Sequence, residues 1–233
     1  MVIINRCIRY HFEQDEQKLC DRRASRQSRP DPDGEWQALL NQGPHEVQVQ
    51  AFLERHPHLL PGLRDLHNGP LHDVIVTKFP LGSDFRTDFT FISRHSMALQ
   101  FTFVELESPS KPVFNKDASF SQDFSHARQQ VADWASWASR NMATLIDMFA
   151  PMFETYNVAE DVKQVRCYLV YGRRHEVESD RKRKERWQSV GLTNDRSVSV
   201  LTYDRLRTLP GEVKDLIVCT YENRGFYVKG SVL

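Results

Sequence analysis

Apolar positions along this chain change period several times, and each change predicts an element. Trp36, Leu39 and Leu40, then Val47, Val49, Phe52 and Leu53, recur at helical intervals and stop before His56-Pro57, which predicts two short helices. The β-branched run Val74-Ile75-Val76-Thr77-Lys78-Phe79 reads as a strand, followed by strands over residues 84 to 92 and 99 to 107 with a turn near Ser93 to Ser96. That succession predicts an antiparallel meander. Phe120, Phe124, Ala127, Val131, Trp134, Ala135 and Ala138 then fall three, four and seven apart, which predicts a long amphipathic helix over residues 119 to 140. A second helical stretch ends near Tyr156. Val165 to Tyr171 reads as a buried strand, residues 178 to 190 as a charged helix, and Val198 to Tyr203 as another strand. Strands alternating with helices after a meander predict an α/β fold, a mixed central β-sheet flanked by helices.

Composition adds boundaries. Residues 1–34 are arginine-rich and end in Arg29-Pro30-Asp31-Pro32-Asp33-Gly34, a run of breakers that reads as a linker behind an N-terminal arm. Residues 35–209 form the expected domain, and residues 210–233 an extension whose apolar run Leu216-Ile217-Val218-Cys219 has no assignable partner. Lys plus Arg and Asp plus Glu both number 31, so no global field draws the protein to nucleic acid or membrane, and any phosphate-binding surface has to be local. Cys7, Cys20, Cys167 and Cys219 show no C-x-x-C pair and are expected as reduced thiols. With no signal-like start and no apolar run long enough to span a bilayer, a soluble, cytoplasmic protein without membrane contact is expected.

The strands isolate unusual acidic positions. Side chains alternate, so Phe101, Phe103, Glu105 and Glu107 share one face while Thr102, Val104 and Leu106 share the other. Asp88 is expected on the side opposite Phe85, Phe89 and Phe91, where a hairpin can set it beside Glu105. A strand that buries phenylalanine has little reason to end in carboxylates on one face unless a cation holds them. Oxygen ligands on adjacent strands, with phosphate oxygens completing the shell, suit magnesium in phosphoryl chemistry. The plain alternative is a solvated strand end. Gln130 falls between Ala127 and Trp134 on the apolar stripe of the long helix, so its amide needs a partner there, either a buried backbone group or the carboxylate site. His56 and His58 lack neighbouring cysteines for a zinc site, and neither a glycine-rich phosphate loop nor a G-x-S-x-G turn is present.

Thr87-Asp88, Glu105-Leu106-Glu107 and Gln130-Val131-Ala132-Asp133-Trp134 together resemble the PD-(D/E)xK nuclease superfamily, including the Q-x-x-x-aromatic helix of its RecB-like members. More narrowly, the chain is similar to the nuclease domain of Shedu anti-phage defence proteins. Glu46 with Gln50-Ala51-Phe52-Leu53-Glu54, Val104-Glu105-Leu106-Glu107-Ser108-Pro109, His126-Ala127-Arg128-Gln129-Gln130, Tyr168 to Arg174 and Thr202-Tyr203-Asp204-Arg205-Leu206 carry that likeness across residues 36 to 209. The resemblance implies a restriction-endonuclease-like core and Mg2+-dependent hydrolysis of DNA, with Mn2+ as a substitute, in a homo-oligomer. It makes Asp88 and Glu105 metal-binding carboxylates, with the Leu106 carbonyl as a further ligand, Glu46 as an outer one and Gln130 as the helix amide near them. The superfamily usually has lysine where this chain has Glu107. Glu107 then binds a second metal or acts as base toward bound water, and Lys111 or Lys116 could supply the missing cation.

Between Arg173 and Arg186 basic residues outnumber acidic ones, but residues 181 to 184 point in every direction around a helix. Arg173 and Arg174, at a strand end, are the better candidates for nucleic-acid contact, and Arg22, Arg23, Arg26 and Arg29 of the arm could add nonspecific affinity or regulation. The competing reading is a catalytically inactive nuclease-like domain that binds nucleic acid or a protein partner.

Overall fold

The computed structural model describes residues 32–63, 69–95, 97–154, 156–191, 197–207 and 216–229. The arm up to residue 31, with its arginines, lies outside these. Helix α1 (Pro32–Asn41) begins inside the expected linker, because Pro32 opens its first turn and Asp33 and Glu35 lie near the positive end of its dipole. It buries Trp36 and Leu40, one turn apart, and α2 (Glu46–Arg55) buries Val49, Phe52 and Leu53.

The strands are β1 (Val74–Thr77), β2 (Pro80–Leu81), β3 (Phe85–Arg86), β4 (Phe89–His95), β5 (Ala98–Leu106), β6 (Val162–Val170), β7 (Val198–Leu201), β8 (Ile217–Glu222) and β9 (Gly225–Val228). Seven form one mixed sheet in the order β7-β6-β5-β4-β1-β8-β9, and β2 with β3 makes a separate hairpin. The pairs β1–β4 and β4–β5 are antiparallel, which is the expected meander, while β5–β6, β6–β7 and β1–β8 are parallel. The run Leu216 to Cys219 finds its partner here. β8 pairs with β1 from Val74↔Ile217 to Thr77↔Thr220, so the stretch set apart after residue 209 supplies two strands of the same sheet.

β5 is central and buried at every position but Gln100, so its two faces serve two cores. Phe101 and Phe103 pack with Phe124, Ala127, Val131 and Trp134 of helix α3 (Gln122–Arg140). Val104 and Leu106 pack on the other face with Trp36, Val49, Phe52, Tyr168 and Tyr203. The result is a sheet between helices, with α3 on one side and α1 and α2 on the other. Each fully buried large apolar side chain contributes about 1.5–3 kcal/mol, so both layers are needed. Ser121 starts α3 by accepting from the Phe124 N–H at 3.1 Å.

The remaining α-helices among the described residues are α4 (Met142–Met148), α5 (Arg174–Val177) and α6 (Arg181–Gly191). Gly172, at φ +63°, makes the sharp exit from β6; a Cβ there would lie 2.5 Å from Val113 Cγ2. Cys167 and Cys219 are both buried. Among the described residues no helix is long and apolar enough to cross a membrane.

Candidate active site

The strand expected over residues 84 to 92 is split. β3 ends at Arg86, β4 starts at Phe89, and Asp88 sits in the break. Phe89 is the registered partner of Val104, yet the Asp88 N–H also donates to the Val104 carbonyl at 3.1 Å. Two residues facing one is the arrangement of a β-bulge, a device that re-aims a side chain. Phe85 therefore leaves the face of Phe89 and Phe91 and packs with the core beneath α3. The Asp88 carboxylate is nearly inaccessible, 3% exposed. Its Oδ2 accepts from the Leu106 N–H at 2.6 Å, and its Oδ1 is ion-paired with Lys78 Nζ.

Glu105 is 9% exposed, and its Oε1 accepts from Gln130 Nε2 at 2.8 Å. The amide of α3 thus reaches the carboxylate and not a buried backbone group. Burial, then the charge of Asp88 and a hydrogen bond to its carboxyl, then Glu107, push the Glu105 carboxyl well above the usual carboxylate range, with Lys78 opposing. Asp88, bonded to the N–H of Leu106, is therefore close enough to Glu105 for their charges to interact. Glu107 Oε2 holds Lys111 Nζ at 2.5 Å, and its carbonyl accepts from the hydroxyl of the fully buried Tyr203. Glu46, half-buried at the start of α2, is raised by burial and by Asp88 and Glu107, against Lys78 and Lys111. Four carboxyl groups and two ammonium groups thus occupy one end of the sheet.

Lys78 had no role in the sequence reading. It lay inside an apolar run that looked like unbroken strand, but β1 ends at Thr77 and Lys78 takes φ +51°, turning its chain toward Asp88. Burial alone would lower its pKa; Asp88, Glu46 and Glu105 outweigh that and raise it. Lys111 is the lysine that reaches Glu107, whereas Lys116 is exposed on the following loop.

Whether a divalent cation fits can be judged from the donors. All are hard oxygens, and two buried carboxyls lie where their charges repel, an arrangement a cation would relieve. Among the described residues, no three His, Cys, Asp or Glu side chains close on one point. The set Asp88, Glu105, Glu107 and Glu46 is therefore gathered but not caged in this conformation, and Lys78 and Lys111 hold two of its members. A cation would rest on two carboxylates, main-chain oxygen and water, a coordination magnesium commonly uses.

A family model described as Shedu protein SduA, C-terminal, matches residues 44–207. The chain belongs to the Shedu family. The matched span contains every member of the cluster, from Glu46 to Tyr203, and stops before β8. No curated protein matches the chain.

Among the described residues of this Shedu family member, several of the basic side chains between Arg173 and Arg186 are engaged. Arg173 is forked onto Asp204 at 3.0–3.2 Å and donates to the Leu40 carbonyl at 2.7 Å, with its side chain 14% exposed, so it clamps α1 to the core and is not presented to a backbone phosphate. Arg174 is exposed, and only its main-chain N–H binds Asp204. On α6, Lys182, Arg183 and Arg186 donate to carbonyls of Asp117, Asn115 and Ala118, stapling the loop that carries Lys116. Their clustering in sequence reflects that staple.

Proposed function

We propose that the chain is a metal-dependent nuclease that hydrolyses phosphodiester bonds of DNA in anti-phage defence, with a restriction-endonuclease-like core of the PD-(D/E)xK type. One observation carries the reading: Asp88, bonded to the Leu106 N–H, and Glu105, the residue before it in β5, are both buried, in one electrostatic field with Glu46, Glu107, Lys78 and Lys111. Like charges buried together oppose folding, and perturbed carboxyls of this kind gather where chemistry is done. Mg2+, or Mn2+ in its place, would be held by Asp88 and Glu105 with the Leu106 carbonyl and water; when bound it polarises water and offsets phosphate charge.

The chain's own groups do the rest. Gln130 fixes the rotamer of Glu105 through Oε1. Glu107, steadied by Lys111 and by the Tyr203 bond to its carbonyl, is the proton acceptor on the same face, where superfamily members usually carry lysine. Lys78, beside Asp88, supplies positive charge toward a bound phosphate. Arg174 is the remaining strand-end contact for the nucleic acid. Assembly as a homo-oligomer and residence in the cytoplasm belong to the same reading.

The test is direct. Purified protein is incubated with linear, circular and single-stranded DNA, with and without Mg2+ or Mn2+. Cleavage that needs the metal and vanishes in Asp88→Ala and Glu105→Ala is the expected result. Metal-independent binding with no cleavage of any substrate would replace this reading by that of an inactive, nucleic-acid-binding domain.

A further inference from the structure

Beside the carboxylates, the β2–β3 hairpin and helix α3 flank a shallow, open depression of about 400 Å3, within the size range of pockets that take small ligands. His126, Gln129, Gln130 and Asp133 line it from the helix. Their spacing of three, four and seven makes them one stripe, distinct from the stripe of Phe124, Ala127, Val131 and Trp134 that packs on the sheet. Phe85 and Arg86 form the opposite wall. That wall is tied down: at Gly82, φ +68°, a Cβ would stand 3.1 Å from Trp137 Nε1, so the hairpin tip lies directly on α3.

We propose that this depression takes an unpaired nucleobase, that of the nucleotide next to the scissile phosphate; the inference rests on the nuclease reading and names its substrate as nucleic acid with a single-stranded segment. Phe85 is half-buried against the core, a fixed aromatic surface on which a base can stack. Gln129, whose Nε2 donates to Asp133 at 2.8 Å, and Gln130, whose Nε2 holds Glu105, each keep an amide oxygen and a second N–H, the chemistry a base edge requires. Asp84 and Asp133 outnumber Arg86 among the lining residues, so the depression is unfavourable for a phosphate and the backbone runs outside it. Gln130 lines the depression and also holds Glu105 at 2.8 Å, so an occupant sits one side chain away from the carboxylates. A base inside a duplex has its edge engaged and its faces stacked, and cannot enter without being unpaired.

The experiment is fluorescence anisotropy with Ca2+ in place of Mg2+, using a labelled single-stranded oligodeoxynucleotide, its ribonucleotide counterpart and a blunt hairpin duplex. Wild type binds the single strand more tightly than the duplex. Phe85→Ala weakens single-strand binding roughly tenfold, Phe85→Tyr keeps it, and duplex binding changes less than twofold. An oligonucleotide of abasic sites shows the same loss on the unaltered protein and no further loss with Phe85→Ala. Preference between the deoxy and ribo strands names the source of the base. Equal affinity for single strand and duplex, an equal loss on both with Phe85→Ala, or no loss at all overturns the inference. Phe85-dependent binding with no hydrolysis in Mg2+ or Mn2+ removes the hydrolytic reading and keeps this site. Hydrolysis indifferent to Phe85 and to base pairing does the reverse.

Discussion

A carboxyl group as buried as Glu105, in the field of Asp88 and Glu107, is held at a cost to the fold. Its proton is bound more tightly folded than unfolded, so wild-type stability falls as pH rises from the unfolded carboxyl range toward the raised folded value. Glu105→Gln keeps an oxygen for the Gln130 amide and does not titrate. In chelator, that variant should gain about 1–2 kcal/mol over wild type at pH 8, a Tm rise of roughly 2–8 °C, and lose the advantage near pH 4 while cleaving nothing at any pH. Unchanged thermal melts at pH 8 would show that the repulsion is absent. His58 has the opposite sign. Burial, then His56, lower it to about 4, so its contribution is complete above pH 6.5 and is lost as pH falls toward 4. Unfolding free energies from urea titration at pH 7 and 4.5 should differ by about 1–2 kcal/mol more in wild type than in His58→Phe, after allowance for its partial exposure. At this scale Glu105, Asp88 and Gln130 were legible because carboxylates and an amide stood where apolar periodicity demanded apolar residues. Lys78 was hidden, because only a positive φ turns it inward, and that backbone turn has no signature in the pattern Val-Thr-Lys-Phe.

Helix α3 was readable almost to its ends because its burial stripe is long and regular, and its start is fixed by one side chain. Ser121 Oγ accepts from the Phe124 N–H and donates to the Pro112 carbonyl at 2.7 Å. Ser121→Ala orphans a buried N–H and should cost about 1–2 kcal/mol, read as a lower urea midpoint with an unchanged m-value. Gln130 lies more than a turn beyond the affected N-terminus, so metal-dependent cleavage at 25 °C should persist; loss of cleavage in proportion to stability would show that the cap also positions the amide. The bulge at Asp88 is the contrasting case. Alternation of Phe85, Arg86, Thr87, Asp88 and Phe89 looks like one strand, and the extra residue is specified by pairing with Val104, a partner across the sheet that local pattern does not display. For the same reason Arg173 looked like a phosphate contact: its strand-end position was visible, while Asp204 and the Leu40 carbonyl come from distant parts of the chain.

For the whole molecule the decisive contact is the parallel pairing of β8 with β1, which closes the sheet with residues far from β1 in sequence. A short apolar run after a long connection carries no local cue to its register, although Asn223 and Arg224, both at positive φ between Glu222 and Gly225, form the tight turn a β8–β9 hairpin favours. The pairing reaches the site. β1 lies between β8 and β4, and it ends at Thr77, next to the Lys78 that holds Asp88. Phe226 is buried, with its ring 5.1 Å from Phe149 and 5.0 Å from Tyr221, and Tyr221 stands 5.0 Å from Phe79. Lys229 Nζ reaches Glu54 of α2 at 2.7 Å. A chain cut after Leu209 would leave the fully buried β1 as an unpaired edge and open the core around Phe79 and Phe149, a template for aggregation. It should fail to give a cooperative melt, and Phe226→Ala in the full chain should lose about 3–5 kcal/mol by urea unfolding. If the shortened chain instead melts cooperatively and cleaves DNA at the full-length rate, β8 and β9 are an appendage and the site is carried by five strands alone.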